Sequence, residues 1–195
     1  FPMRLLSNKI TLLFIAVFLM ACEQDIPVFV FQPNHVAFET PIGFPNPDIP
    51  ADNPLTEEGI ALGKKLFHDP ILSGDNTQAC ASCHLQGNGF SDPRQFSKGV
   101  SGAFGDRNAS ALINAAWNTS NFWDGRAITL EDQALEPVTS PIEMNSPSWE
   151  QVIEELKATT DYPELFRAAF NTSDFDSIHV VKAIAQFERT LISGN

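Results

Sequence analysis

Only three cysteines and one tyrosine occur in 195 residues. Three thiols are too few for a disulfide scaffold. Basic residues are scarce too: 12 Lys and Arg face 24 Asp and Glu, a formal charge of −12. That balance argues against nucleic acid as a partner and favours docking to basic protein faces. The apolar run Ile10–Met20 is too short to cross a bilayer as a helix. No internal repeat is visible. A hydrophobic content of 43% excludes a disordered chain. The length suits one domain with a real core.

The first residues read as a targeting segment. Phe1 and Pro2 precede Met3, which reads as the start. Arg4 and Lys9 form a positive region before the apolar run, which ends in Leu19-Met20-Ala21-Cys22. That tetrad resembles a bacterial lipobox, in which the cysteine is lipidated and becomes the new N-terminus. An ordinary signal peptide with an incidental cysteine is the alternative. Residues 1–21 are thus expected to be a lipoprotein signal peptide. The mature protein would be exported and anchored to a membrane through lipid on Cys22, without spanning it. Removal leaves ten basic residues against the same 24 acidic ones, a charge of −14.

Residues 22–54, rich in Pro, Asn and Phe, read as a tether and an extended arm. Ile26–Phe31 is strand-like, but one strand makes no sheet. From Thr56 on the signals are helical. Thr56 with Glu57 and Glu58 suits a helix start, Ile60, Leu66 and Phe67 form an apolar stripe, and Asp69-Pro70 stops it. Ser148 with Gln151, and Asp161 with Glu164, are capping-box patterns. Ile178, Val181, Ile184, Phe187 and Leu191 keep helical spacing, with Gly194 placed to cap that helix. Long loops are expected at Gly87–Arg107 and Pro137–Pro147. Helices separated by long ordered loops suit an all-α domain wrapped around a cofactor.

Cys80-Ala81-Ser82-Cys83-His84 is a C-x-x-C-H sequence. In an exported chain this is the attachment signal for haem c. Two thiols one helical turn apart can add to the two haem vinyl groups, and the adjacent imidazole reaches the iron as proximal ligand. A zinc site would want a fourth ligand from a second Cys/His pair. A thioredoxin-like pair would want a βαβ context. Neither is present. The other face of the haem decides its use: electron carrier, peroxide chemistry or gas sensing. Composition does not choose among them.

The run Leu62-Gly63-Lys64-Lys65-Leu66-Phe67-His68-Asp69-Pro70-Ile71-Leu72-Ser73, followed by Cys80–His84, resembles the N-terminal haem domain of bacterial di-haem cytochrome c peroxidases, a group that includes MauG-like enzymes. So do Asp106-Arg107-Asn108, Phe122-Trp123-Asp124-Gly125-Arg126-Ala127, and the spacing of Gln133, Pro137, Glu143 and Met144. The resemblance implies a c-type cytochrome-like helical domain over residues 55–195. It implies a periplasmic peroxidase that reduces hydrogen peroxide to water with electrons from a small cytochrome c or cupredoxin. Two haems, an interdomain calcium ion and often a homodimer come with it. Cys80 and Cys83 match the thioether cysteines and His84 the proximal ligand. Gln133, Pro137 and Glu143 match the distal pocket, with Glu143 expected to move protons. Trp123 matches a residue between the two haems and Asn108 a calcium ligand. Arg126 is expected to be structural or a haem-propionate partner.

Two departures stand out. Many members carry a histidine in the loop before the Arg-Asn pair, and it blocks the oxidised iron. Here that loop, Ser97–Gly105, has none. The peroxidatic haem is therefore expected to be open, or held only by water, as in MauG-like members. There is also no second C-x-x-C-H, so the chain is expected to be a piece of a longer product. Competing expectations are a single-haem electron carrier with Met144 as sixth ligand, and a MauG-like enzyme that oxidises a protein. His35, His68 and His179 are read as packing or surface residues.

Overall fold

Thr56 caps the first helix among the described residues, as its composition demands. Its hydroxyl accepts from the Gly59 N–H at 3.0 Å, and Glu57 and Glu58 sit in the first turn. Helix α1 then runs Glu57–His68 and stops at Asp69, whose backbone turns extended before Pro70. Leu62, Leu66 and Phe67 are buried along it, while Ile60 is half-buried. This computed structural model describes residues 29–194; the expected signal peptide and Cys22 lie outside the described residues. Among the described residues, the helices all belong to the compact unit that starts at Phe31.

Four further helices continue the chain: α2 Leu130–Thr139, α3 Trp149–Ala158, α4 Tyr162–Phe170 and α5 Ser177–Arg189. Short 3₁₀ turns interrupt the loops, one of them at Cys80–Ser82. Among the described residues there is no strand, only isolated bridges such as His35 with Thr56. The fold is all-α.

The α1 and α5 helices cross closely because α1 offers glycines there. A Cβ on Gly63 would collide with the Ala183 carbonyl, and one on Gly59 with the Gln186 amide. The buried Gln186 repays the approach with hydrogen bonds. Its Oε1 accepts from the Thr56 N–H at 3.0 Å and its Nε2 donates to Asn53 Oδ1 at 2.9 Å. Asn53 donates on to Glu131 at 2.6 Å, and Glu131 is held by Arg189 through two bonds of 2.8 Å. One polar chain thus joins the arm's end, α1, α2 and α5. The arm is strapped down further along. Trp117 Nε1 donates to the Pro45 carbonyl at 2.7 Å, with the rings of Phe38 and Phe44 edge-on to the indole. Beside this contact the chain's other end comes back, so close that a Cβ on Gly194 would meet the Pro41 ring.

Three local expectations change. Asp161 makes no side-chain cap for α4, because its carboxylate is drawn to Lys65 at 3.1 Å. Gly194 does not cap α5, which ends at Arg189 with the Thr190 N–H bonded to Phe187 and Glu188 carbonyls. The loop expected from Pro137 begins later, at Ser140. Proline sits inside α2, which starts from a reciprocal Thr129–Asp132 cap.

Candidate haem site

Cys80, Cys83 and His84 stand on one tight turn. The His84 and Cys83 amides both donate to the Cys80 carbonyl, at 3.0 and 3.1 Å. Both thiols are free. All three side chains border one cavity of about 700 Å³, within the roughly 300–1,000 Å³ of cofactor sites. Burial pushes the Cys80 thiol up to about 12, and the nearby Glu188 charge adds to this. Burial likewise pulls the His84 pKa down, so the imidazole is neutral.

The imidazole is oriented from behind. His84 Nδ1 donates to the Phe90 carbonyl at 3.0 Å, the tautomer that puts the lone pair on Nε2, and the Ser110 backbone lies close by. The carbonyl is aimed by a costly backbone. Gly89 and Phe90 are both left-handed, with φ of 67° and 54°, and for a bulky residue that strain is worth about 1–3 kcal/mol. Sequence reading missed Phe90, since a carbonyl has no sequence signature; Gly89 is the one hint.

Opposite elements bring in the other predicted residues. Gln133 and Pro137, one turn apart on α2, both border the cavity. Pro137 has no N–H for the Gln133 carbonyl, so a helix bond is missing at the cavity wall. Glu143 comes next, on a tight turn. Its N–H donates to Ser140 O at 3.1 Å and its carbonyl accepts from Val100 at 2.8 Å. The Ser97–Gly105 loop presses on this turn so closely that a side chain at Gly99 would strike the Ile142 and Glu143 carbonyls. Glu143 is exposed, yet it borders the cavity, and protein crowding raises its pKa against the Ser140 hydroxyl and the Arg126 charge. Met144 belongs to the apolar core and also borders the cavity.

The cavity mouth carries Trp123, 65% exposed, whose Nε1 donates to the Asn108 carbonyl at 2.8 Å. Asn108 in turn gives Nδ2 to the Asp92 and Arg94 carbonyls, at 2.9 and 2.6 Å. Its Oδ1 is left to accept. Calcium wants six to eight oxygens, and no cluster of three or more His, Cys, Asp or Glu suited to a metal occurs among the described residues. Beside Trp123, Arg126 lies 3.5 Å over the Phe122 ring and bonds both Asp124 and Glu136.

These residues fit a haem. The motif's two thiols and the His84 imidazole border a space whose walls include Phe67, Leu112, Val138 and Ile184. All ten residues given a site role from sequence, Arg126 and Met144 included, border that one space.

Comparison with known proteins agrees. Residues 57–195 match the di-haem cytochrome c peroxidase family. The chain is 44% identical over 175 residues to methylamine utilization protein MauG of Methylorubrum extorquens, covering 89% of this chain and 47% of that one. It is 43% identical over 145 residues to cytochrome c peroxidase Ccp of Escherichia coli K12, covering 74% and 31%. A solved MauG-like protein associated with microbial copper homeostasis superposes with a TM-score of 0.75 at 36% identity, over 81% of this chain and 47% of that one. The chain spans about a third to a half of the length of these relatives. The attachment turn, the glycine-mediated helix crossing and these matches lead to one assignment: the chain belongs to the di-haem cytochrome c peroxidase family, oxidoreductases that carry haem c.

Proposed function

We propose that this chain carries the peroxidatic haem site of a periplasmic enzyme that reduces hydrogen peroxide to water. One observation carries the reading. A carboxyl with raised pKa, Glu143, shares a cavity with the Cys80–His84 attachment turn, Gln133 and Pro137. Haem, when bound, supplies an iron that accepts and passes on electrons one at a time. Cys80 and Cys83 would hold it by thioethers, and His84 Nε2 would face the iron.

The chain's own residues then handle protons. Splitting the O–O bond to give water requires a proton on the departing oxygen. A Glu143 carboxyl oxygen can take a proton from one peroxide oxygen and return it to the other, because its raised pKa keeps proton gain and loss both accessible. Gln133 would orient peroxide by hydrogen bonding, and Pro137 would leave the Gln133 carbonyl without its helix partner at the cavity wall. Trp123 would relay electrons from a second haem domain, and Asn108 Oδ1 would offer one ligand to an interdomain calcium. Electrons would come from a small cytochrome c or cupredoxin. Lipid on Cys22 would hold the enzyme at a membrane, and a homodimer is the expected assembly. The Ser97–Gly105 loop closes on itself through bonds from Gly99 to Ala103 and Gly105 to Ser97, and it carries no histidine to cover the iron.

The test is spectroscopic. The full chain, matured with haem in a periplasm, should show a high-spin oxidised haem that reacts with one equivalent of peroxide. A low-spin haem with a methionine–iron band, inert to peroxide, would instead make Met144 the sixth ligand and the chain an electron carrier. Oxidation of a partner protein in preference to turnover with a donor cytochrome would favour the MauG-like reading, which the 44% identity to a MauG supports.

A further inference from the structure

Among the described residues, one buried side-chain atom has no hydrogen-bond partner: Oε2 of Glu188. Glu188 lies near the end of α5, is 4% exposed, and borders the haem cavity. Its natural counter-ion is engaged elsewhere, since Arg189 gives both terminal nitrogens to Glu131. An unpartnered buried carboxyl is costly, and packing alone would be served as well by leucine.

The groups facing it are few. Arg189 on the same helix favours its charged form, and Glu131 on α2 opposes it. The Cys80 thiol on the attachment turn feels its charge. Helix α1 contributes only Phe67 to the cavity wall, and Phe67 does not titrate. Helix α2 brings Leu130, Gln133, Ala134 and the titratable Glu136 to the same cavity wall, and α5 brings Ile184. Burial outweighs the rest and lifts the Glu188 carboxyl to about 8.

We propose that Glu188 binds a proton when the haem of this cavity is reduced and releases it when the haem is oxidised. The exchange balances. One electron from a one-electron donor goes to the iron, and one proton from water goes to a Glu188 carboxylate oxygen; oxidation returns both. Reduction makes the cofactor one charge more negative, which raises the cost of a buried anion beside it. A unit charge roughly 10 Å away, at an effective dielectric of about 20, changes a proton affinity roughly tenfold. Glu188 is thereby separate in role from Glu143, on the turn after α2.

The inference rests on the cavity holding haem. The haem content of the purified full chain is therefore measured first, by its pyridine haemochrome spectrum, so that failure of that reading is seen by itself. Spectropotentiometric titrations from neutral pH to well above pH 8 then read the midpoint potential. The wild-type potential should fall with rising pH, Glu188→Gln should be nearly flat, and Glu188→Asp should restore the slope. Equal slopes in wild type and Glu188→Gln overturn the proposal, as does a slope lost in Glu143→Gln instead. Should Glu188→Gln fail to load haem, redox-difference infrared spectra of Glu143→Gln protein decide. A protonated-carboxyl band that grows on reduction supports Glu188, and its absence overturns it.

Discussion

At the scale of single residues, two of the five acids that border the cavity are proposed to do different things there. Glu143→Gln keeps shape and removes the proton, so the peroxide reaction should slow by about 10²–10⁴ in stopped-flow measurements; an unchanged rate would leave Glu143 a loop acid. Glu188 makes its mark on stability. Its carboxyl is raised from an ordinary 4.5 to about 8, so the folded state holds a proton that the unfolded chain has already lost. Its contribution is full below about pH 4.5 and is lost as pH rises through about 8. Melting temperatures of the haem-loaded chain should therefore decline over that window, and Glu188→Gln should flatten the decline. Asp92 acts at the other end. The Arg94 guanidinium beside it, with the Ser97 hydroxyl, holds its carboxyl down to about 2, so its support is lost only as pH falls toward that value. The sequence made Glu143 legible through its register with Gln133 and Pro137. It hid Glu188, because a Glu-Arg pair near a helix end reads as a solvated face, and only tertiary packing buries both.

At the scale of elements, the weak point is the crossing of α1 and α5. Gly63→Ala places a methyl against the Ala183 carbonyl, and backbone cannot yield as a side chain can. The helices must separate, at a cost of about 1–3 kcal/mol, read as a lowered denaturant midpoint with unchanged slope. A midpoint equal to wild type would mean that the crossing is looser than it looks. Both helices were legible, since Leu66, Phe67, Val181 and Ile184 repeat at helical spacing. Where reading erred, a distant partner had intervened. Lys65 took the Asp161 carboxylate from its cap, and neighbours in the fold held α2 together past Pro137. The glycines of α1 gave no warning by themselves; their purpose is visible only from the face of α5.

At the scale of the whole molecule, the cavity governs. The space of about 700 Å³ opens at its mouth, so without an occupant water wets apolar walls such as Phe67, Leu112, Val138 and Ile184, which a bound cofactor would cover. A Cys80→Ala/Cys83→Ala variant should lose covalent haem and, with it, a sharp unfolding transition, seen as an early, shallow melt with dye-accessible apolar surface. A wild-type-like melt would mean the helices stand without the cofactor. The C-x-x-C-H motif announced that occupant, but the strained Gly89–Phe90 turn that aims His84 became visible only in three dimensions. The contact between Gly194 and Pro41 has a consequence of another kind. Gly194 lies against Pro41 and Phe44, on the stretch of arm that Trp117 holds through Pro45, so a side chain at position 194 should loosen that strap as well as the end of the described chain.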